Sequence, residues 1–143
     1  MAGIALRLAA TADHGVLGTL RAGDGPDLVP VCFAIDGNNL AIPVDRVKPK
    51  ASPDLQRIRN LLADRRATLL VEQWDPADWS RLWWVRLRLE AAAASPEQGA
   101  RFAALLRDRY RQYEATPFER LLTFQIVEVT GWAATPESGP GLT

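Results

Sequence analysis

Apolar and polar residues alternate along this chain with two different periods. From residue 82 to 89, Trp83, Val85, Leu87 and Leu89 fall on one face of an extended chain, and Leu82, Trp84, Arg86 and Arg88 on the other. Period two marks a strand, so Arg81 to Ala93 is expected as the longest strand. Val16 to Leu20, Leu40 to Val44, Ala67 to Gln73 and Leu121 to Ala133 read as further strands. Leu28 to Ile35 is a nearly continuous apolar run, which suggests a strand buried on both faces. Pro30 inside that run removes a ladder donor and should face an edge, a bulge or a ligand.

The second period is helical. Leu55, Ile58, Leu61 and Leu62 recur at helix spacing after Ser52-Pro53-Asp54, which supplies an N-cap, a proline for the first turn and an acid for the dipole. Ser95-Pro96-Glu97-Gln98 opens another helix, carrying Phe102, Leu105 and Leu106 to about Tyr110. A short helix is expected over residues 2–12. Arg21-Ala22-Gly23-Asp24-Gly25-Pro26 and Asp36-Gly37-Asn38-Asn39 are hairpin turns. Consecutive hairpins favour an antiparallel sheet. The expected class is mainly β (α+β), an antiparallel six-stranded β-barrel with peripheral helices. It forms a single domain over residues 1–134, with a flexible Pro/Gly-containing tail over 135–143.

Composition adds limits. A chain of 143 residues holds one real core. No apolar run approaches the roughly 20 residues needed to span a bilayer. No signal peptide is read after Met1, so a cytoplasmic protein without membrane contact is expected. A single cysteine, Cys32, excludes an internal disulfide, and a single histidine, His14, excludes most histidine-built metal sites. His14 reads as a polar helix end and Cys32 as a small buried hydrophobe.

Net charge is zero, 17 cations against 17 acids, which argues against a nucleic-acid partner. The average hides a basic strip. Residues 46–66 hold Arg46, Lys48, Lys50, Arg57, Arg59, Arg65 and Arg66 against Asp54 and Asp64, a local +5, and include both lysines of the chain. Lys48-Pro49-Lys50 followed by a helix start suits one small anion: two point charges, free backbone N–H groups and Arg57 one turn on. Asp75 and Asp78 read as a solvated loop. No phosphate loop, dinucleotide fingerprint or nucleophile elbow is present. Trp79, Trp83 and Trp84 crowd one short stretch, which suits a subunit interface or a wall against a planar ring.

Taken in order, these segments resemble the pyridoxamine 5′-phosphate oxidase-like split β-barrel proteins, and most closely their branch of F420-dependent oxidoreductases. The resemblance rests on Gly18-Thr19-Leu20-Arg21-Ala22, Leu28-Val29-Pro30-Val31-Cys32-Phe33 and Val44-Asp45 with Lys48-Pro49-Lys50. It continues through Arg59-Asn60 to Arg66-Ala67 and Asp78-Trp79-Ser80-Arg81-Leu82-Trp83-Trp84-Val85-Arg86. It implies an FMN-binding-type split barrel and a homodimer with cofactor in two symmetric grooves between subunits. The cofactor would be the deazaflavin F420, or alternatively FMN. Its phosphate would meet Lys48, Lys50 and Arg57, and its ring would lie along Pro30, Val31, Cys32 and Phe33. Ser80 and Trp83 complete the implied cofactor set. The implied activity is hydride transfer to or from a small planar organic substrate, with no catalytic side chain assigned. A non-catalytic flavin, deazaflavin or haem carrier is the alternative of another class. The short first helix, Gly18 and the spacing around Arg46 depart from the family pattern.

Overall fold

The computed structural model describes residues 2–45, 56–115 and 118–135. Helix α1 spans Ala2–Ala9, and strands β1 (Gly15–Leu20), β2 (Pro26–Val31), β3 (Ala34–Asp36) and β4 (Asn39–Asp45) follow. Helix α2 (Gln56–Ala63), β5 (Arg66–Gln73), a 3₁₀ turn (Trp79–Arg81) and β6 (Trp83–Ala91) come next. Helices α3 (Pro96–Arg109) and α4 (Gln112–Ala115) and the long β7 (Phe118–Ala133) complete the described elements. All pairings are antiparallel, in one curled seven-stranded sheet of order β2-β1-β5-β6-β7-β4-β3. This is the mainly β split barrel the sequence implies.

The strand count differs from the expected six. The run from Leu28 to Ile35 is broken at Cys32 and Phe33 into β2 and β3, and these two strands are the opposite edges of the sheet. Nor is β2 buried on both faces: Pro26, Leu28 and Pro30 are exposed and alternate with half-buried Asp27 and Val29. An edge strand of a curled sheet has one covered face, so a run of apolar residues still alternates there. Pro30 lies on this edge strand, where its missing N–H is tolerated.

The strand from Arg81 shortens to Trp83–Ala91, because Asp78 caps a 3₁₀ turn over Trp79–Arg81. Its faces are as expected: Trp83, Val85, Leu87 and Leu89 are buried. They meet Leu17, Phe33, Leu40, Ile42, Leu69, Val71 and Phe124 in the concave core, closed by Ala5 and Ala9 of α1 and Ile58 and Leu61 of α2. Each of the valine, leucine, isoleucine and phenylalanine side chains contributes about 1.5–3 kcal/mol by leaving water. Helix α3, capped by Ser95, packs Phe102 and Leu106 against Ala34 and Ala41 in a second cluster with Tyr113. Gly37 turns the β3–β4 hairpin at φ 64°, a left-handed conformation that other residues adopt only at a cost. Ser52, Pro53 and Asp54, the expected helix start, lie outside the described residues, as does the tail beyond Thr135. No helix is long and apolar enough to cross a membrane.

Candidate functional site

The candidate residues distribute over three places. At the first, the chain leaves β4 at Asp45, opposite Phe118, and re-enters the description at Gln56 in α2. Lys48 and Lys50 fall between, outside the described residues. Arg57 is half-buried on α2. Helix α2 is tied to the β1–β2 hairpin by Asn60, which is only 3% exposed. Its Nδ2 donates to Thr19 Oγ1 at 2.9 Å and to Asp27 Oδ2 at 2.7 Å. Its Oδ1 accepts from Gln56 Nε2 at 2.8 Å, so the buried amide is well partnered. Arg21 Nε donates to Asp27 at 3.0 Å. The Arg21 hydrogen bond, then that of Asn60, holds the Asp27 carboxyl below its ordinary pKa. The basic strip therefore feeds into a helix whose position is fixed by hydrogen bonds rather than by apolar contact alone.

The second place is the junction of β2 and β3. Pro30 is exposed opposite Val16, Val31 is buried, Cys32 is half-buried and Phe33 is fully buried. Phe33 belongs to neither strand, yet its backbone is paired. Its N–H donates to the Tyr110 hydroxyl at 3.2 Å. Its carbonyl accepts from Tyr110 at 3.2 Å and from Arg109 Nη1 at 3.3 Å. The Tyr110 hydroxyl also lies 3.0 Å from the Asp13 carbonyl, and burial pushes its pKa up. His14 is exposed, with Nδ1 2.6 Å from Asp13 Oδ1.

The third place is a cavity of about 430 Å³ lined by Thr11, Gln73, Ser80, Arg81, Trp83 and Thr135, among others. It brings Ser80 and Trp83 together. Ser80 is set by the 3₁₀ turn: the Asp78 carboxylate accepts from its N–H at 3.1 Å and from its hydroxyl. Gln73 Nε2 donates to the Arg81 carbonyl at 2.8 Å, and Thr135 Oγ1 to the Ser80 carbonyl at 3.1 Å. Asp78 is thus a capping residue, and its lowered pKa opposes a role as proton donor near neutral pH.

The register relates these places. Val31 pairs with Gly15, Val16 with Leu70, Val71 with Val85 and Gln73 with Trp83. Val31 and Trp83 therefore lie toward one end of the sheet. Thr19, opposite Asp27 and Ala67, lies toward the other, where Asn60 docks α2. Four residue steps of β2 lead from Asp27 to Val31, about 13 Å of extended chain. Arg57 is thus carried on the helix docked at one end of β2, and the junction lies at the other. Phe33 offers a ligand neither its buried side chain nor a free backbone group. Tyr110 and Arg109 were not legible as partners of this junction: their hydrogen bonds to Phe33 cross 77 and 76 residues of sequence. Among the described residues no cluster of three or more His, Cys, Asp or Glu could hold a metal ion.

The cap gives a direct prediction. The Ser80 hydroxyl is the largest cause of the lowered Asp78 pKa, followed by the Ser80 N–H. A lowered folded-state pKa stabilises the turn above the ordinary value of 3.8 and loses that contribution as pH falls through the lowered one. In a carboxyl NMR titration Asp78 should have its midpoint below 3.8, and Ser80→Ala should move it upward. An unchanged midpoint in the variant would show that the hydroxyl does not hold this carboxylate.

No family model matches the sequence, and no curated protein is recognisably similar to it. Solved structures do match its fold. A haem-binding protein from Mycobacterium smegmatis superposes with a TM-score of 0.71 at 21% identity over 98% of this chain, which spans 55% of that protein. A FAD-binding protein from Mesorhizobium loti matches at 0.62 and 19% identity, covering 92% of this chain and 91% of that one. An F420 reductase matches at 0.58 and 20% identity, covering 87% and 94%. The chain has the split β-barrel fold of the pyridoxamine 5′-phosphate oxidase-like proteins.

Proposed function

We propose that this chain binds the deazaflavin F420 and serves hydride transfer to or from a small planar organic substrate. FMN in the same place is the second reading. The observation that carries the proposal is that Arg57, on the helix docked at one end of β2, and Pro30, Val31 and Cys32, at or beside the other end, are set apart along one edge strand. A ring joined through a short polyol chain to a phosphate needs an anion subsite and an apolar subsite set apart, and both cofactors have that form. Arg57 belongs to the anion end, and Lys48 and Lys50, outside the described residues, are assigned to it by the resemblance alone. Pro30, Val31 and Cys32, with Ser80 and Trp83 toward the same end of the sheet, belong to the ring end. Solved neighbours described as an F420 reductase and a FAD-binding protein support a cofactor of this class.

When bound, the ring supplies the hydride chemistry. The chain's own residues bind and orient. The strip on residues 46–57 neutralises the phosphate with charge-assisted hydrogen bonds. The β2 edge, short of one donor at Pro30, leaves an apolar face for a flat ring, and Trp83 and the neighbouring turn narrow the access of water. Double replacement of Lys48 and Lys50 by alanine should raise the Kd for F420 by about tenfold or more with circular dichroism unchanged. Unchanged affinity would remove the anion end from the proposal. Tight binding by the unaltered chain, with reduced F420 passing its hydride to no planar acceptor, would favour a carrier over an enzyme.

The reading includes a homodimer. Leu20, Leu28, Leu70 and Trp132 are between 39% and 69% exposed. The pairs Gly18–Leu28, Val16–Leu70 and Trp84–Trp132 place them on the outer face of the sheet. An apolar face of this kind is best covered by a second copy. Light scattering should give twice the chain mass, and Leu28→Asp should shift it toward the single mass. A monomer in the unaltered protein would contradict the between-subunit groove.

A further inference from the structure

We propose that Tyr110 and Arg109 are positioning residues for the β2 edge, the strand that the proposed function lays along the cofactor ring. The inference rests on that reading. Phe33 lies between the end of β2 at Val31 and the start of β3 at Ala34, outside both ladders. Its side chain is fully buried, so an unpaired N–H or carbonyl there would be costly. The chain solves this from 77 residues away. The Tyr110 hydroxyl accepts from Phe33 N–H and shares its single proton between the Phe33 and Asp13 carbonyls. Arg109 Nη1 supplies a second donor to the Phe33 carbonyl, so that oxygen stays paired when the tyrosine proton turns to Asp13.

The arginine is held in turn by two rings. Its guanidinium carbon lies 4.8 Å from the Phe33 ring centre and 5.3 Å from that of Tyr110, within cation–π range. One helix end thereby joins the α1–β1 connection at Asp13 to the seam between the two sheet edges. The seam fixes the direction in which Cys32 emerges and the line of Pro30 and Val31 before it. Phe33, buried and hydrogen-bonded through both backbone groups, is the pivot, and its orientation passes to Pro30, Val31 and Cys32 beside it. A phenylalanine at position 110 would fill the same space and leave the Phe33 N–H and the Asp13 carbonyl without the hydroxyl.

The test uses the full chain as Tyr110→Phe and Arg109→Lys beside the unaltered protein. Hydrogen exchange at the Phe33 amide reads the clamp. The Kd for F420 and for FMN, and the absorption of each bound cofactor, read the positioning. In Tyr110→Phe the Phe33 amide should exchange about tenfold faster or more. The bound cofactor's band should move toward that of the free cofactor, with Kd raised about tenfold. Arg109→Lys keeps the hydroxyl and should fall between. Faster exchange with an unchanged Kd and an unchanged bound spectrum would make the clamp structural only and overturn the inference, as would unchanged exchange. Binding of neither cofactor by the unaltered protein would instead overturn the proposed function, and with it the ring for which the edge is positioned. If Tyr110→Phe fails to fold, Arg109→Lys carries the same comparison.

Discussion

Two residues join the two edges of the sheet. β2 and β3 stand at opposite ends of the strand order, yet only Cys32 and Phe33 lie between them. Three Cα steps span at most about 11 Å, so the edges must come that close at this corner. A flat seven-stranded sheet cannot meet that condition, and the sheet curls. Curling gives Leu17, Leu69, Val85 and Leu87 a common interior and turns the alternating outer face toward solvent. It also leaves a seam rather than a ladder, because Cys32 and Phe33, which cross it, belong to neither strand. At this seam the end of helix α3 supplies the hydrogen bonds that Phe33 lacks from a strand, through Tyr110 and Arg109.

Charge follows the same geometry. The chain is neutral as a whole, but its cations are not spread evenly. The basic strip enters α2, and α2 is held to the hairpin by the buried Asn60 amide and by Asp27. The polar anchor and the seam lie at opposite ends of β2. A ligand that is anionic at one end and flat and apolar at the other fits this division better than an extended polyanion would, which also accounts for a local charge of +5 within a chain of zero net charge.

Elements governed by local pattern were legible in the sequence. The faces of β6 follow from simple alternation, the Ser95 cap from residue types, and the Gly37 turn from its neighbours. What failed was sidedness. The Leu28 to Ile35 run carries the same apolar residues whether it is one central strand or two edges, and only the strand order decides. The short α4 and the start of β7 at Phe118, ahead of the expected Leu121, had no periodic signal. Of the candidate site, the lysine pair lies outside the described residues, and the tryptophan string gave no sign of the turn over Trp79–Arg81, since Arg81 was expected to open a strand. Tyr110 carried no signal of its role beyond ending an expected helix, because a hydroxyl bonding to a backbone group 77 residues away leaves no local trace.

The central claim is that one edge of a curled sheet holds a tricyclic ring while a basic strip holds its phosphate. Side-by-side titration of the purified chain with F420 and FMN, followed by absorption and fluorescence, tests it most directly. Saturable binding of F420 with a shifted band, tighter than that of FMN, is the predicted result. Failure to bind either cofactor would contradict the account.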